Sequence, residues 1–152
     1  MKRIAVLVAL LAIIVVAFAA CRPREVLTAE EFTSRMEAEG HIVEDVTQMY
    51  AEIPGLEIIL IAETDEFEVE FIIWETAEAA RSWFNNLRRS FEDTRGNVRS
   101  YRETNTANFN RFTQTTDGRF EAVVRVENTL VVIVTTSENR SDAQAILNIL
   151  GY

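Results

Sequence analysis

The residues with the clearest capacity for chemistry are acidic and lie in one stretch, ETDEFEVE, at positions 63–70. On a β-strand, alternate side chains share a face about 7 Å apart, which places Glu66, Glu68 and Glu70 on one side. One ion cannot reach all three, so a Ca²⁺ site would also need oxygens from Glu63 and Asp65 in the turn. We predict a solvent-facing acidic strand. The alternative is weak cation binding by Glu63, Asp65, Glu66 and Glu68.

Paired carboxylates also catalyse glycoside hydrolysis when they are about 5–9 Å apart. An exposed strand in so small a domain, however, gives no sign of a sugar-sized cleft. His41 is the only histidine, and it follows Gly40 at a predicted helix end, where the helix dipole stabilises a cation. No serine lies in a G-x-S-x-G elbow, and there is no glycine-rich phosphate loop. We therefore predict that the protein is not an enzyme and needs no cofactor. The alternative is a small hydrolase whose active site uses the acidic stretch.

Cys21 is the only cysteine, and it follows a segment with the layout of a secretory signal. Lys2 and Arg3 precede an apolar run at 4–17, and small residues follow that run. The sequence FAAC at 18–21 resembles the lipobox of bacterial lipoproteins, with phenylalanine where leucine is usual. The resemblance implies that the sulfur of Cys21 receives a diacylglycerol and that the leader is cut just before it.

This interpretation divides the chain into a signal peptide at 1–20, a lipid-anchored tether at 21–27 and one α+β domain at 28–152. The protein would then be held on the outer face of the cell membrane through the lipid on Cys21, since two or three acyl chains anchor a protein stably. The alternatives are ordinary signal-peptidase cleavage at residues 17–19, which leaves a free thiol, or a retained apolar anchor. With Cys21 lipidated, no thiol remains for a disulfide, a nucleophile or a metal site.

The charges are unevenly distributed along the chain. The net charge is −9, yet residues 25–78 hold 16 acidic residues and the single base Arg35, while residues 79–152 hold 8 acidic residues and 10 arginines. Such acidity argues against nucleic acid as a partner. We predict that arginine-bearing elements of the second half lie beside carboxylate-bearing strands of the first half. The alternative is a solvated face whose exposed ion pairs each contribute about 0–1 kcal/mol.

The first half shows clear local signals for a helix, three strands and a second helix. Thr28 and Glu31 form a capping box, Leu27 is placed to contact Phe32 as a hydrophobic staple, and the helix ends at Gly40. Period-two patterns then predict strands at 41–46, 56–62 and 67–74. Thr76 begins a helix whose apolar stripe must be covered by a sheet. Trp83 and Phe84 of this helix, together with Trp74, are predicted to belong to the core and not to line a ligand pocket.

The second half repeats this pattern with more strands. Strands are predicted at 98–102, 108–115, 120–126 and 129–135, with an Asp117-Gly118 hairpin turn. In the strand at 120–126, apolar residues alternate with charged ones, among them Glu121 and Arg125. Ser141 and Gln144 predict a second capping box, and the last helix buries apolar residues at 146, 147 and 150.

Together these elements predict an α+β fold: a mainly antiparallel sheet of about six or seven strands, two helices packed on it and a third at its N-terminal end. The spacing also suggests a duplicated β-β-β-α unit. The segment 108–152, which ends in Leu-Gly-Tyr, resembles the C-terminal part of small uncharacterised lipoproteins of Gram-positive bacteria. That resemblance implies a fold and a location but no activity. We therefore expect a membrane-anchored, non-catalytic module that binds an envelope protein or a small ligand.

Overall fold

Seven antiparallel strands form one sheet that carries helices on both faces, which confirms the α+β prediction. The computed structural model describes residues 24–93 and 96–152, so Cys21 and the leader 1–20 lie outside the described residues. The helices are α1 (Ala29–Ala38), α2 (Ala77–Asp93) and α3 (Arg140–Leu150). The strands are β1 (Ile42–Asp45), β2 (Leu56–Glu63), β3 (Glu68–Trp74), β4 (Val98–Asn105), β5 (Phe109–Thr116), β6 (Arg119–Val126) and β7 (Thr129–Thr136).

The strand order is β1-β2-β3-β7-β6-β5-β4, so the pairing of β3 with β7 joins the two halves of the chain. Every other neighbouring pair is formed by strands that follow each other in the sequence. The β3–β7 pair leaves three strands on the β3 side and four on the β7 side, so β4 has no counterpart in a duplicated β-β-β-α unit. The helices also depart from such a duplication, because α2 packs on one face of the sheet and α3 packs on the other.

Helix α1 begins where the capping box predicts. The hydroxyl of Thr28 accepts a hydrogen bond from the Glu31 amide at 3.2 Å, and the Thr28 amide donates to the Glu31 carboxylate at 3.0 Å. Leu27 and Phe32 are both buried, and the Phe32 ring stacks on Phe71 of β3 at 4.8 Å. These contacts place α1 on the same face of the sheet as α3.

The opposite face is covered by α2, whose apolar stripe packs as its spacing predicts. Phe84 and Phe91 are buried against residues of the central strands. Trp74 lies in the same core, and Trp83 stacks on it at 5.0 Å while remaining 36% exposed. The prediction that Trp74 and Phe84 belong to the core is therefore confirmed, and Trp83 covers its edge.

Two details of the second half were predicted wrongly. Helix α3 begins at Arg140 after Asn139, which makes no side-chain capping bond, so the capping box of Ser141 with Gln144 does not form. Ser141 lies inside the first turn, where its hydroxyl cannot act as the N-cap. The strand β4 also continues to Asn105 because it pairs with β5 along its whole length.

Two of the three charged residues of β6, Glu121 and Arg125, are buried, while Arg119 is exposed. Glu121 is 2% exposed and Arg125 is 0% exposed, because β6 is an inner strand and α2 lies over the face that carries both side chains. The Gln114 side chain donates to the Glu121 carboxylate and, at 2.7 Å, to the Phe91 carbonyl. A period-two pattern assigns residues to two faces, but it cannot tell whether the polar face is covered.

Arg125 makes a hydrogen bond with each of its three side-chain nitrogens. Its Nε donates to Asn110 Oδ1 at 2.6 Å, its Nη1 to the Glu127 carbonyl at 2.6 Å and its Nη2 to the Ala107 carbonyl at 3.0 Å. Ala107 lies between β4 and β5, and Glu127 lies between β6 and β7. One buried side chain therefore joins two hairpin turns. Burial lowers the pKa of Arg125, and the charge of Arg81 adds to that effect.

The predicted pairing of arginines with carboxylates of the first half is wrong. The ion pairs between described residues are Arg88–Glu92, Arg99–Asp117 and Arg119–Glu121, and each lies within the second half. Strands β1–β3 form one side of the sheet and β4–β6 form the other, with β7 between them. The acidic strands β1–β3 and the arginine-bearing strands β4–β6 therefore lie on opposite sides of the sheet.

Candidate functional site

The acidic stretch at 63–70 forms the end of a hairpin and projects into solvent. Glu63 and Glu68 face each other across β2 and β3, while Asp65 and Glu66 lie in the turn, and all four are exposed. The turn is closed by Thr64, whose hydroxyl donates to the Phe67 carbonyl at 2.6 Å and accepts from the Phe67 amide at 2.9 Å. Within residues 24–93 and 96–152, no group of three or more acidic or histidine residues could hold a metal ion. The cation-binding alternative gains no support from this arrangement.

Glu70 differs from the other acidic residues of the stretch because it lies on an inner strand and is half-buried. Burial raises the pKa of the Glu70 carboxyl, and the charge of Glu68 raises it further. A carboxyl whose pKa is raised in the folded state destabilises that state when it is ionised. Its cost is absent at low pH and fully present once the pH exceeds the raised pKa.

We expect Glu70→Gln to raise the melting temperature at pH 7 and to leave it unchanged below about pH 4, where both forms are neutral. Thermal unfolding followed by circular dichroism across this pH range measures the difference. Glu57→Gln, at an exposed position on the neighbouring strand β2, is the matched control. A gain of equal size in both variants would show that net charge, and not the burial of Glu70, is responsible.

A cavity of about 370 Å³ lies between strands β4 and β5 and the first turns of α3. Strand β4 places its even-numbered residues on this face of the sheet, and β5 places its odd-numbered residues there. The even-numbered residues Phe112 and Gln114 of β5 point towards α2 on the other face. Arg102 lies opposite Thr113 in the sheet register. Most of the lining consists of polar side chains from these three elements: Ser100, Arg102, Arg111, Thr113, Thr115, Arg140 and Gln144.

We call this cavity the arginine pocket, because three of its lining residues are arginines and none of the described lining residues is acidic. Arg111 is half-buried. Burial lowers the pKa of its guanidinium, and the charges of Arg24 and Arg102 lower it further. The guanidinium groups of Arg24 and Arg102 therefore lie close to that of Arg111. The guanidinium of Arg111 is held where its positive charge is disfavoured unless an anion is bound.

Two buried polar atoms of the arginine pocket have no hydrogen-bond partner: Arg111 Nε and Thr115 Oγ1. Thr115 is only 6% exposed, so its hydroxyl is removed from bulk water. Buried polar groups are nearly always paired in native proteins, and each exception needs an explanation. A guanidinium beside hydroxyl groups is the arrangement that binds carboxylate or phosphate oxygens, since each N–H and O–H can donate to them.

Tyr152 holds Arg111 in place from the inner side of the pocket. Arg111 Nη1 donates to the main-chain oxygen of Tyr152 at 3.3 Å. The Tyr152 side chain is itself buried, and its hydroxyl lies 2.5 Å from the hydroxyl of Thr129. Burial raises the pKa of Tyr152 to about 12, so the side chain is neutral at ordinary pH. Arg111 is thereby fixed to the folded core and not left to sample solvent.

The N-terminal segment passes beside the same pocket. The Arg24 guanidinium lies 4.0 Å from the centre of the Phe109 ring, and its Nη1 donates to the Gly151 carbonyl at 2.8 Å. Arg35 donates to the Leu150 carbonyl at 3.0 Å, so two arginines bind the C-terminal carbonyls of α3. Of the tether predicted at 21–27, the part described from Arg24 onward is therefore packed against the domain.

The sequence prediction missed this pocket, although one signal was present. Arg111, Thr113 and Thr115 recur with period two on a strand that is otherwise polar, which places them on one face. The partners that turn this row into a pocket come from β4 and α3. Only the three-dimensional arrangement brings those elements together.

No protein-family model and no curated protein matches the chain. Two solved structures are similar to it. A GTP binding regulator from Thermotoga maritima is 14% identical over 85% of this chain and 91% of that chain, with a TM-score of 0.50. The extracellular domain of PknH from Mycobacterium tuberculosis is 14% identical over 83% of this chain and 91% of that chain, with a TM-score of 0.41. The first similarity shows a shared fold alone, and the second is too distant to support an argument.

In the part of the chain that the structure describes, none of the helices has both the length and the apolar character needed to cross a membrane.

Proposed function

We propose that the chain is a lipid-anchored module on the outer face of the cell membrane, with no catalytic role, which binds an anionic ligand in the arginine pocket. The observation that carries the proposal is the pair of unpartnered buried atoms, Arg111 Nε and Thr115 Oγ1, in a cavity with three arginines. An anion supplies both the missing hydrogen-bond partners and the missing counter-charge. The lipid anchor rests on the resemblance of residues 18–21 to a lipobox.

Binding explains the pocket better than catalysis does. Its hydroxyl groups belong to Ser100, Tyr101, Thr113 and Thr115. Tyr101 donates to the Glu103 carboxylate, and for the other three the described lining residues include no carboxylate or imidazole that could accept a proton. A nucleophilic hydroxyl needs such a base within hydrogen-bond reach. The volume of about 370 Å³ suits a small ligand or a single head group, since ligand pockets begin at roughly 300 Å³.

Inorganic phosphate is the simplest probe of the proposed site. The chain that starts at Arg22 contains every element of the described fold and lacks the lipidation site. At phosphate concentrations of ten times the dissociation constant, we expect a stabilisation of about 1.4 kcal/mol, because ligand binding shifts the unfolding equilibrium by mass action. Denaturant unfolding in phosphate and in chloride at equal ionic strength measures this effect. Calorimetric titration with phosphate gives the affinity directly.

Arg111→Met tests the site with two readouts that move in opposite directions. Without ligand, we expect this variant to be about 1 kcal/mol more stable than the original chain, because removal of a half-buried cation close to two others outweighs the loss of its hydrogen bond to Tyr152, while most of its apolar stem is kept. The stabilisation by phosphate should disappear. Arg89→Met, at an exposed position on α2 and on the other face of the sheet, should change neither quantity. An unaltered phosphate response in Arg111→Met would refute the proposed site.

A further inference from the structure

The arginine pocket lies next to the point where the chain continues towards Cys21. Arg24 contacts the ring of Phe109, which lies two residues before Arg111 on the same face of β5. The effect of the Arg24 charge on the Arg111 pKa shows that the two guanidinium groups are close. Cys21 lies three positions before Arg24, and three residue steps of extended chain span at most about 11 Å. A lipid on Cys21 therefore holds this face of the domain close to the membrane surface.

We propose that the arginine pocket binds the phosphate group of an anionic phospholipid in the membrane that carries the anchor. The inference rests on the proposed function, since it assumes both the lipid on Cys21 and an anion in the pocket. It adds the source of the anion and the orientation of the domain. Arg102, Arg111 and Arg140 would face the head groups, with Arg24 beside them.

The chemistry of the pocket matches a phosphodiester. A guanidinium offers two parallel N–H donors that fit two phosphate oxygens, and Arg111 Nε is free to serve as one of them. The hydroxyl of Thr115 can donate to a further oxygen. The anchor contributes by raising the local concentration of head groups, so that even a weak site is occupied.

The distribution of charge along the sheet favours this orientation. The domain is strongly acidic overall, and an anionic membrane would repel most of its surface. The acidic strands β1–β3 lie at the side of the sheet opposite β4 and β5. When the arginine pocket faces the membrane, the acidic side points away from it, farther than the screening length of about 8–10 Å at physiological salt. The lipid on Cys21 and the arginine pocket would then each bind the membrane. Two such attachments make anchoring stable, where one acyl chain alone binds only marginally.

Vesicle sedimentation with the chain that starts at Arg22 tests this inference without the covalent lipid. Vesicles that contain phosphatidylglycerol are compared with vesicles of phosphatidylcholine alone. We expect binding only to the former, and we expect the double variant Arg102→Gln, Arg111→Gln to weaken it about tenfold. The control variant Arg89→Gln, Arg99→Gln loses the same charge at two exposed positions outside the pocket and should bind nearly as well as the original chain. Circular dichroism verifies that each variant is folded. Arg102→Glu, at an exposed position on the edge strand β4, should also weaken binding to the phosphatidylglycerol vesicles.

Each outcome has a distinct meaning. Loss of binding in the pocket variants but not in the control supports the inference, and competition by free phosphate would support it further. Equal weakening in the pocket and control variants would overturn it, because general charge attraction would then suffice. A chain that responds to inorganic phosphate but not to phosphatidylglycerol vesicles would also overturn it, while the proposed function would stand with a soluble phosphate ligand. Failure with both probes would remove the proposed anion site itself.

Discussion

Replacing Arg125 by methionine is expected to lower the free energy of unfolding by about 2–4 kcal/mol, since each buried acceptor left without its donor costs about 1–3 kcal/mol. Arg125 is fully buried, and its side chain donates to Asn110, Glu127 and Ala107. Methionine fills much of the same volume, so the loss comes from Asn110 Oδ1 and the Glu127 carbonyl, which lose their donor, whereas the Ala107 carbonyl keeps its bond from Arg81. Stability falls because those acceptors have been desolvated and are no longer paired.

Urea unfolding monitored by tryptophan fluorescence measures this loss, since Trp74 lies in the core that α2 covers and Trp83 stacks on it. Arg125→Lys should recover only a small part of it, because one ammonium group cannot take the place of three nitrogens in a rigid fork. Arg89→Met removes the same charge from an exposed position on α2 and should leave the midpoint almost unchanged. An Arg125→Met midpoint equal to that of the original chain would show that the network contributes nothing to stability.

Replacing Cys21 by serine is expected to move the protein, once the leader 1–20 has been removed, from the membrane fraction to the aqueous phase of a detergent extraction. The thioether to diacylglycerol requires the sulfur of Cys21, and the described helices include none that could span the bilayer in its place. The full chain, expressed in a bacterium with lipoprotein processing, is extracted with detergent and followed by immunoblotting. Mass spectrometry of the N-terminal peptide identifies the attached lipid.

Ser34→Ala, an exposed change on α1 that leaves the sulfur intact, serves as the control and should stay in the detergent phase. An exported original chain with an unmodified Cys21 would refute lipidation. The phosphate experiment does not depend on this result, because it uses a chain that starts after Cys21. The anchor and the anion site can therefore fail separately.

Local signals in the sequence were sufficient to predict most elements of the fold. Thr28, Glu31 and Leu27 define the start of α1 through contacts within five residues, so no distant partner is needed to predict it. The stripe that includes Phe84 and Phe91 predicts both the helix α2 and the face that it buries. Where a single element carries the whole signal, the sequence and the structure agree.

The predictions failed where the decisive contact joins distant parts of the chain. Glu121 and Arg125 alternate with apolar residues as they would on a solvated strand, and only the position of α2 makes them buried. The arginine pocket depends in the same way on Arg111 meeting Tyr152 and on Arg24 meeting Gly151, which is 127 residues away in the chain. Hydrophobic periodicity reports the faces of an element, but it carries no information about which element will cover them.

The bond from Arg24 to the end of α3 has a mechanical consequence for a domain tied to a surface. Tension on the residues ahead of Arg24 is borne first by that bond, by the ring of Phe109 and by the buried side chain of Leu27. The first strand begins only at Ile42, beyond the whole of α1. If the chain is anchored through Cys21, tension would therefore detach the N-terminal segment and α1 from the sheet before any strand is pulled.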